Sequence, residues 1–342
     1  MNLRRCVLTK ALQGGLVFVL SASIHTVGAQ SDTSMHNQAR ELAKSVAQGV
    51  EGRQSMESAR RVEGEIRKLD SLPRSVTDEK LFAHGVMVGY YQTAGMPELV
   101  RYHARAMIAL AQELDPASEV QFASIIFGAY QALADLSALE GRPREAEAIL
   151  SAVPSEIVAV PTIARSFAAA SGRYGLIGSK MPPIAASNWI GVSSAHQADS
   201  SAPIAGTSAD GNRRATIVEF TAYWCAPCQD SYDYLKSLRT RFANQPVDVI
   251  LVTSRMGEFR GAKHLTKDEE TRKLSEYFTH EQRLPFPVAV TDSAGPLQAR
   301  YYVDAYPEIV VENGSGEIVK VLRGWSADTP ALLTSAVSEA LK

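Results

Sequence analysis

Two cysteines separated by two residues are the part of this sequence best suited to chemistry. They are Cys225 and Cys228, in the segment Trp224-Cys225-Ala226-Pro227-Cys228. Cysteines at this spacing can form a disulfide and be reduced again, with a thiolate as the attacking nucleophile. The spacing therefore predicts a site of thiol–disulfide exchange.

The residues on either side of the pair predict a buried strand followed directly by a helix. An apolar run covers 216–221, and aromatic and leucine side chains recur at helical spacing within 227–242. Cys225 would then lie at a helix N-terminus, where unpaired N–H groups and the helix dipole favour a thiolate. Pro227 suits the first helical turn, which needs no N–H from it.

The N-terminal residues predict export. Three basic residues, Arg4, Arg5 and Lys10, are followed by a short apolar run at 14–20 and a small-x-small sequence at 27–29. This is the pattern of a secretory signal, which would be removed after residue 29. The location expected is periplasmic or otherwise extracytoplasmic, and an uncleaved membrane anchor is the alternative. Because the net charge of the whole chain is −2 and no basic patch is evident, we do not expect a nucleic-acid partner.

The cysteine count favours a redox role over a structural one. The chain has three cysteines, and Cys6 would leave with the signal. The remaining two could pair only with each other, and a bridge across so short a loop constrains the unfolded chain little. In an oxidising compartment, one such pair is a poor structural staple.

The composition and the prolines and glycines that interrupt helices predict two domains after the signal. Residues 35–174 favour helices, with helical pairs expected at 79–94 with 97–113 and at 118–140 with 144–150. The turn at 141–143 resembles that of a tetratricopeptide repeat, but no 34-residue period recurs. An all-α helical-hairpin domain is expected, and a plain helical bundle is the alternative.

Residues 175–214 are predicted to be a linker that opens the second domain. Strands are expected at 183–184 and 189–192, and the polar stretch 193–213 is expected to be a mobile loop. From 215 to 342, helices and strands alternate. They predict an α/β domain with a central mixed sheet flanked by helices, and a hairpin turning at Asn313-Gly314-Ser315-Gly316.

Residues 178–342 resemble the thioredoxin superfamily, and more narrowly the TlpA/ResA branch of exported thiol:disulfide oxidoreductases. The motifs that carry the resemblance, in chain order, are 219–228, Leu284-Pro285-Phe286-Pro287-Val288, 292–295, 302–310, 316–319 and Gly324. The resemblance implies a thioredoxin-like catalytic core at 215–342 and makes Pro307 a cis-proline beside Cys225. It also implies that substrate contacts Trp224, Ala226, Pro227 and Tyr306, with the Tyr306 backbone pairing with an extended client segment.

Glu219 is the candidate acid of the site. In thioredoxins an acid at this position is buried below the second cysteine and helps to take its proton. A carboxyl in apolar surroundings has a raised pKa and can exchange protons near neutrality. Many ResA-like proteins carry a glutamate three residues after the second cysteine, but here that position is Ser231. The alternative is a solvent-facing glutamate, which the neighbours Ile217 and Val218 make less favourable.

The residues do not favour a metal, a cofactor or a peroxidase. Zinc binding by the cysteine pair would need two further ligands, and His264 and His280 show no paired pattern. A one-cysteine peroxidase would need a Thr-x-x-Cys context, which is absent. We expect no cofactor.

The function expected is reduction of disulfides in other exported proteins through a mixed disulfide that Cys228 resolves. No histidine lies between the cysteines, and this favours a reducing or intermediate potential. The resemblance implies thiol- or disulfide-containing protein clients and a membrane thiol transporter as electron donor. Two alternatives stay open: a disulfide oxidase or isomerase, or a helical client-binding module with a thioredoxin-like effector domain.

Overall fold

The computed structural model describes residues 30–50, 56–114, 121–191, 215–292 and 295–342. The chain divides into two compact units, one reaching to Phe167 (the helical unit) and one from Ala168 to Lys342 (the sheet unit). The predicted domain limits at 35–174, 175–214 and 215–342 differ from this division, which falls inside a helix, and they stay predictions. The predicted signal at 1–29 and mobile loop at 193–213 lie outside the described residues.

The helical unit consists of helices joined by short turns. Its helices are α1 (Gln30–Gly49), α2 (Met56–Asp70), α3 (Thr77–Thr93), α4 (Pro97–Ala111), α5 (Ala123–Leu139), α6 (Pro143–Ser151), α7 (Ser155–Val158) and the first part of α8 (Pro161–Leu176). The predicted pairs are present as α3 with α4 and α5 with α6. Proline starts α4 and α6, where no backbone N–H is needed, and Gly95 and Gly141 precede them with positive φ.

A buried polar network joins three helices of this unit. His84 of α3 and His103 of α4 are both buried, and their Nδ1 atoms lie 2.8 Å apart. The other ring nitrogen of each lies close to a carboxylate of α2, 3.1 Å from Asp70 and 2.9 Å from Glu63. The network gives buried polar groups the partners they need and fixes how α2, α3 and α4 pack.

The sheet unit contains a six-stranded sheet, which confirms the predicted α/β fold class with a central mixed sheet. Its strand order is β1-β6-β3-β2-β7-β8, and β2 pairs in parallel with β3 and antiparallel with β7. The strands are β1 (Asn188–Ile190), β2 (Ala215–Phe220), β3 (Val247–Ser254), β6 (Val288–Thr291), β7 (Glu308–Glu312) and β8 (Ile318–Arg323); the ribbon β4 (Glu258–Phe259) with β5 (Ala262–Lys263) is separate.

Helices cover the sheet and position its ends. They are the end of α8, α9 (Ala226–Arg241), α10 (Lys267–Ser275), which continues as a π-helical turn (Glu276–Glu281), α11 (Pro296–Tyr301) and α12 (Thr329–Ala340). The order strand–helix–strand after 215 and the β7–β8 hairpin are as predicted. Asn313 Oδ1 accepts from the backbone N–H groups of Ser315 and Glu317, and Gly316 has φ +81° in the turn.

The strand predicted at 183–184 is wrong. Pro182 and Pro183 supply no N–H to a ladder, and Ile184 is buried without strand pairing. The chain becomes a strand only at β1. Strand β6 likewise starts only at Val288, after Pro287.

The two faces of the sheet carry different side chains, because successive residues of a strand point to opposite faces. Val218 and Phe220 of β2 join an apolar cluster that includes Leu176 of α8 and Tyr301 of α11. The residue between them, Glu219, therefore points to the other face, which carries the buried side of α9.

A buried arginine connects the end of α8 with the segment before β7. Arg173 Nη1 lies 3.1 Å from Asp304 Oδ1 and 3.4 Å from Glu308 Oε2, and both Arg173 and Glu308 are buried. Glu308 directly follows Pro307, so this ion pair holds the chain next to a predicted site residue.

We expect Arg173→Met to lower the free energy of unfolding of the sheet unit by about 3–5 kcal/mol, because it removes the guanidinium that pairs with the carboxylates of Asp304 and the buried Glu308. Urea unfolding followed by tryptophan fluorescence measures this unit, since all three tryptophans, 189, 224 and 325, lie in it. The control is Arg173→Met with Glu308→Gln, which should recover most of the loss. An Arg173→Met variant as stable as the parent would contradict a stabilising role for this ion pair.

Candidate active site

Cys225 occupies the N-cap of helix α9, at the end of the turn that follows β2. Its backbone is extended, its N–H donates to Ala222 O, and its Sγ accepts a hydrogen bond from the N–H of Cys228 at 3.2 Å. Ala226 and Pro227 form the first turn. The sulfur therefore receives a backbone donor at the positive end of the helix, as predicted from the sequence.

The two cysteines form a disulfide, with their Cα atoms 5.3 Å apart. Cys225 retains 3% of its surface and Cys228 none. Ala226 is exposed and Pro227 is half-buried. Both cysteines are therefore buried, and Cys225 is the one of the pair that keeps any exposed surface.

Trp224 and Tyr306 bring the cysteine turn and the Pro307 segment together. Their rings meet edge to face with centroids 5.8 Å apart, and the Tyr306–Pro307 peptide bond is cis, as the resemblance implies. Trp224 is 45% exposed, so its indole forms part of the surface next to Cys225. Tyr306 is partly buried against the apolar cluster.

Glu219 is fully buried on the α9 face of the sheet. Its Cα partners, Leu251 on β3 and Ile309 on β7, are apolar and buried. Ser231 Oγ lies 2.7 and 2.8 Å from the two carboxyl oxygens of Glu219. Burial raises the pKa of Glu219 to about 8, and the hydrogen bond from Ser231 opposes the shift only in part. The carboxyl can therefore hold or release a proton close to neutral pH.

Sequence reasoning missed the loop beside Trp224. Met256 is 40% exposed, and its sulfur lies 3.5 Å from Trp224 Nε1. The buried Glu270 of α10 accepts from the N–H groups of Met256 and Gly257 at 2.7 and 2.8 Å and so fixes this loop. No local pattern marks Glu270, which lies in a segment of charged residues. In the described part of the chain, no group of three or more His, Cys, Asp or Glu side chains is placed to hold a metal ion.

No protein-family model matches the sequence, and no curated protein matches it. Solved structures do show similarity. A thiol-disulfide isomerase from Corynebacterium glutamicum is 18% identical, with 48% of this chain and 97% of that chain covered and a TM-score of 0.36. StoA from Bacillus subtilis is 22% identical, with 39% and 95% covered and a TM-score of 0.28.

A third structure is a secreted Mycobacterium tuberculosis disulfide oxidoreductase homologous to Escherichia coli DsbE. It is 19% identical, with 37% of this chain and 81% of that chain covered and a TM-score of 0.28.

The raised pKa of Glu219 predicts how stability depends on pH. Between the ordinary glutamate pKa of 4.5 and about 8, the folded protein keeps a proton that the unfolded chain releases. The free energy of unfolding should therefore fall as pH rises through this window, by up to about 1.4 kcal/mol per pH unit from this group.

Glu219→Gln should remove the contribution of this group to the slope of the free energy of unfolding against pH. Urea unfolding of the oxidised protein at pH 5, 6, 7 and 8 would measure that slope. The matched control is Glu339→Gln on the exposed side of α12, which should leave the slope unchanged. Equal slopes in the parent and Glu219→Gln would show that Glu219 is ionised throughout the range.

Proposed function

We propose that this protein is a thiol:disulfide oxidoreductase that works through Cys225 and Cys228. The observation that carries the proposal is the Cys225–Cys228 disulfide at the N-terminus of α9, in which Cys225 keeps 3% of its surface and Cys228 none. A structural staple would not need this asymmetry or this position at the helix dipole.

The reduced protein acts in two exchange steps. The Cys225 thiolate attacks one sulfur of a client disulfide; a Cys225–client bond forms, the client disulfide breaks, and the released client sulfur takes a proton. Cys228 then loses its proton and attacks Cys225 Sγ, which releases the second client thiol. Two electrons pass to the client, and the protein is left with the Cys225–Cys228 disulfide.

Glu219 is the candidate acceptor of the Cys228 proton. Because burial raises its pKa to about 8, a sizeable fraction of the group can accept or give up a proton at neutral pH. Ser231 connects it with the residue that must be deprotonated, since the same hydroxyl lies 2.7 Å from the Cys228 carbonyl oxygen.

The surface around Cys225 is suited to a polypeptide client. Trp224 and Met256 are exposed apolar side chains, and Tyr306 precedes the cis-proline at the start of β7. We propose that an extended client segment lies against Trp224, Ala226 and Pro227 and pairs with the Tyr306 backbone.

We further propose that the protein reduces its clients and acts outside the cytoplasm. The residues between the cysteines, Ala226 and Pro227, add no positive charge that would strongly stabilise the Cys225 thiolate, which favours a reducing potential. Export rests on the N-terminal pattern at 1–29. Among the described residues no helix is long and apolar enough to cross a membrane. Renewal of the dithiol needs an external thiol donor, for which a membrane protein is the proposed source.

Single cysteine variants should separate the two sulfur roles. Reduced Cys228→Ser should form a lasting mixed disulfide between Cys225 and oxidised insulin, because nothing resolves it. Cys225→Ser should form no adduct, since Cys228 is buried, and neither variant should turn over insulin with dithiothreitol as reductant. Non-reducing electrophoresis and peptide mass spectrometry locate the adduct. An adduct on Cys228, or turnover by Cys225→Ser, would contradict the proposal.

A further inference from the structure

The Ser231 hydroxyl lies within hydrogen-bond distance of three acceptor oxygens. Two belong to the Glu219 carboxyl, at 2.7 and 2.8 Å, and the third is the Cys228 carbonyl oxygen at 2.7 Å. A serine hydroxyl has one proton to donate and can also accept. It cannot donate to the carboxyl and to the carbonyl at the same time.

The protonation of Glu219 decides which way this hydroxyl points. When Glu219 is ionised, the carboxylate only accepts, and Ser231 donates to it in a charge-assisted bond. When Glu219 is protonated, its O–H can donate to Ser231 Oγ, and the serine proton turns to the Cys228 carbonyl. Both hydrogen-bond patterns fit the observed distances between the heavy atoms, and they differ by one rotation of the hydroxyl and one proton.

The other groups around Glu219 do not provide a competing charge. Tyr232 of α9 is a titratable neighbour; burial and then the Glu219 charge raise its pKa, and its hydroxyl lies 2.6 Å from Thr221 Oγ1. Tyr277 of the π-helical turn lies beyond it and is also neutral, since burial raises its pKa. The flanking strands contribute Leu251 and Ile309.

The remaining packed elements bring no charge to this face either. The buried side of α12 consists of Thr329, Leu333, Ala336, Val337 and Ala340. Glu308 and Glu312 of β7 alternate with Ile309 and so point to the opposite face of the sheet. Apart from the cysteines, which are joined in the disulfide, Ser231 is thus the polar contact that the described residues offer the carboxyl.

We propose that Ser231 is a positioning residue that couples the protonation of Glu219 to the helical turn holding Cys228. Its hydroxyl donates to the Glu219 carboxylate and stabilises it. When the carboxyl takes up a proton, the hydroxyl turns and donates to the Cys228 carbonyl oxygen instead. The inference deepens the proposed function, on which its role in deprotonating Cys228 rests. The site thereby uses a serine at the position where the sequence departs from the ResA-like pattern that it resembles.

The test follows the Glu219 carboxyl itself, in the oxidised full-length protein, by ¹³C NMR of glutamate side chains as a function of pH. Glu219→Gln identifies the resonance. In Ser231→Ala the titration midpoint should rise by about one pH unit or more, because the ionised form loses a charge-assisted donor. A midpoint that stays in place or falls would overturn the proposal.

A second pair of variants keeps the test valid if Ser231→Ala does not fold. Ser231→Thr and Ser231→Val have nearly the same shape and differ by the hydroxyl. In the threonine variant the titration midpoint of the Glu219 carboxyl should lie near that of the parent. In the valine variant it should lie about one pH unit or more higher. Equal midpoints in the two would overturn the role of the hydroxyl, whatever their stability.

Insulin reduction against pH, measured on the same variants, separates this inference from the proposed function. If the Glu219 midpoint shifts but neither the parent nor the variants reduce insulin, the Ser231 coupling stands and the proposed function fails. If the parent turns over insulin and the midpoint does not move in Ser231→Ala, the function stands and the coupling fails. If both hold, the pH profile of the rate should shift in the same direction as the carboxyl.

Discussion

The end of β2 against the start of α9 is the junction on which the site depends. Cys225 caps the helix there, and the hydrogen bond from the Cys228 N–H to its sulfur sets the two cysteines at the distance a disulfide needs. The junction is fixed on both sides: β2 lies between β3 and β7 in the sheet, and α9 packs through Tyr232 and Leu235.

Burial of Glu219 is the energetic cost that accompanies this arrangement. A central strand with apolar neighbours on both sides would be more stable with an apolar residue at this position. The glutamate instead keeps a proton up to about pH 8, held by a single hydroxyl. A cost of this kind in the middle of a core is typical of a residue retained for chemistry.

Local sequence signals predicted the parts of the site that short segments determine. The strand before Cys225, the helix after it and the β7–β8 turn follow from periodicity and from residues that tolerate positive φ. Burial of Glu219 followed from its apolar neighbours in the same strand. The cis bond at Pro307 came from the family resemblance, because a Tyr-Pro step alone is cis in only about 5–6% of cases.

The contacts that could not be predicted join residues far apart in the sequence. Arg173 reaches Glu308 across 135 positions, and Glu270 holds the Met256 loop from a helix whose sequence looks only charged. The sequence shows Ser231 as a departure from the ResA-like pattern, but its contact with Glu219 depends on how α9 lies on β2. The strand expected at 183–184 failed because two prolines leave too few N–H groups to form a ladder.

The most direct test of the central claim is the redox equilibrium of the protein in glutathione or dithiothreitol buffers, followed by Trp224 fluorescence with Trp224→Phe as the signal control. The edge contact of Trp224 with Tyr306 beside the disulfide makes this indole the natural reporter. We predict one reversible two-electron transition at about −220 mV or below. A transition near −120 mV would make the protein a donor of disulfides. The absence of any reversible transition would contradict a redox function for Cys225 and Cys228.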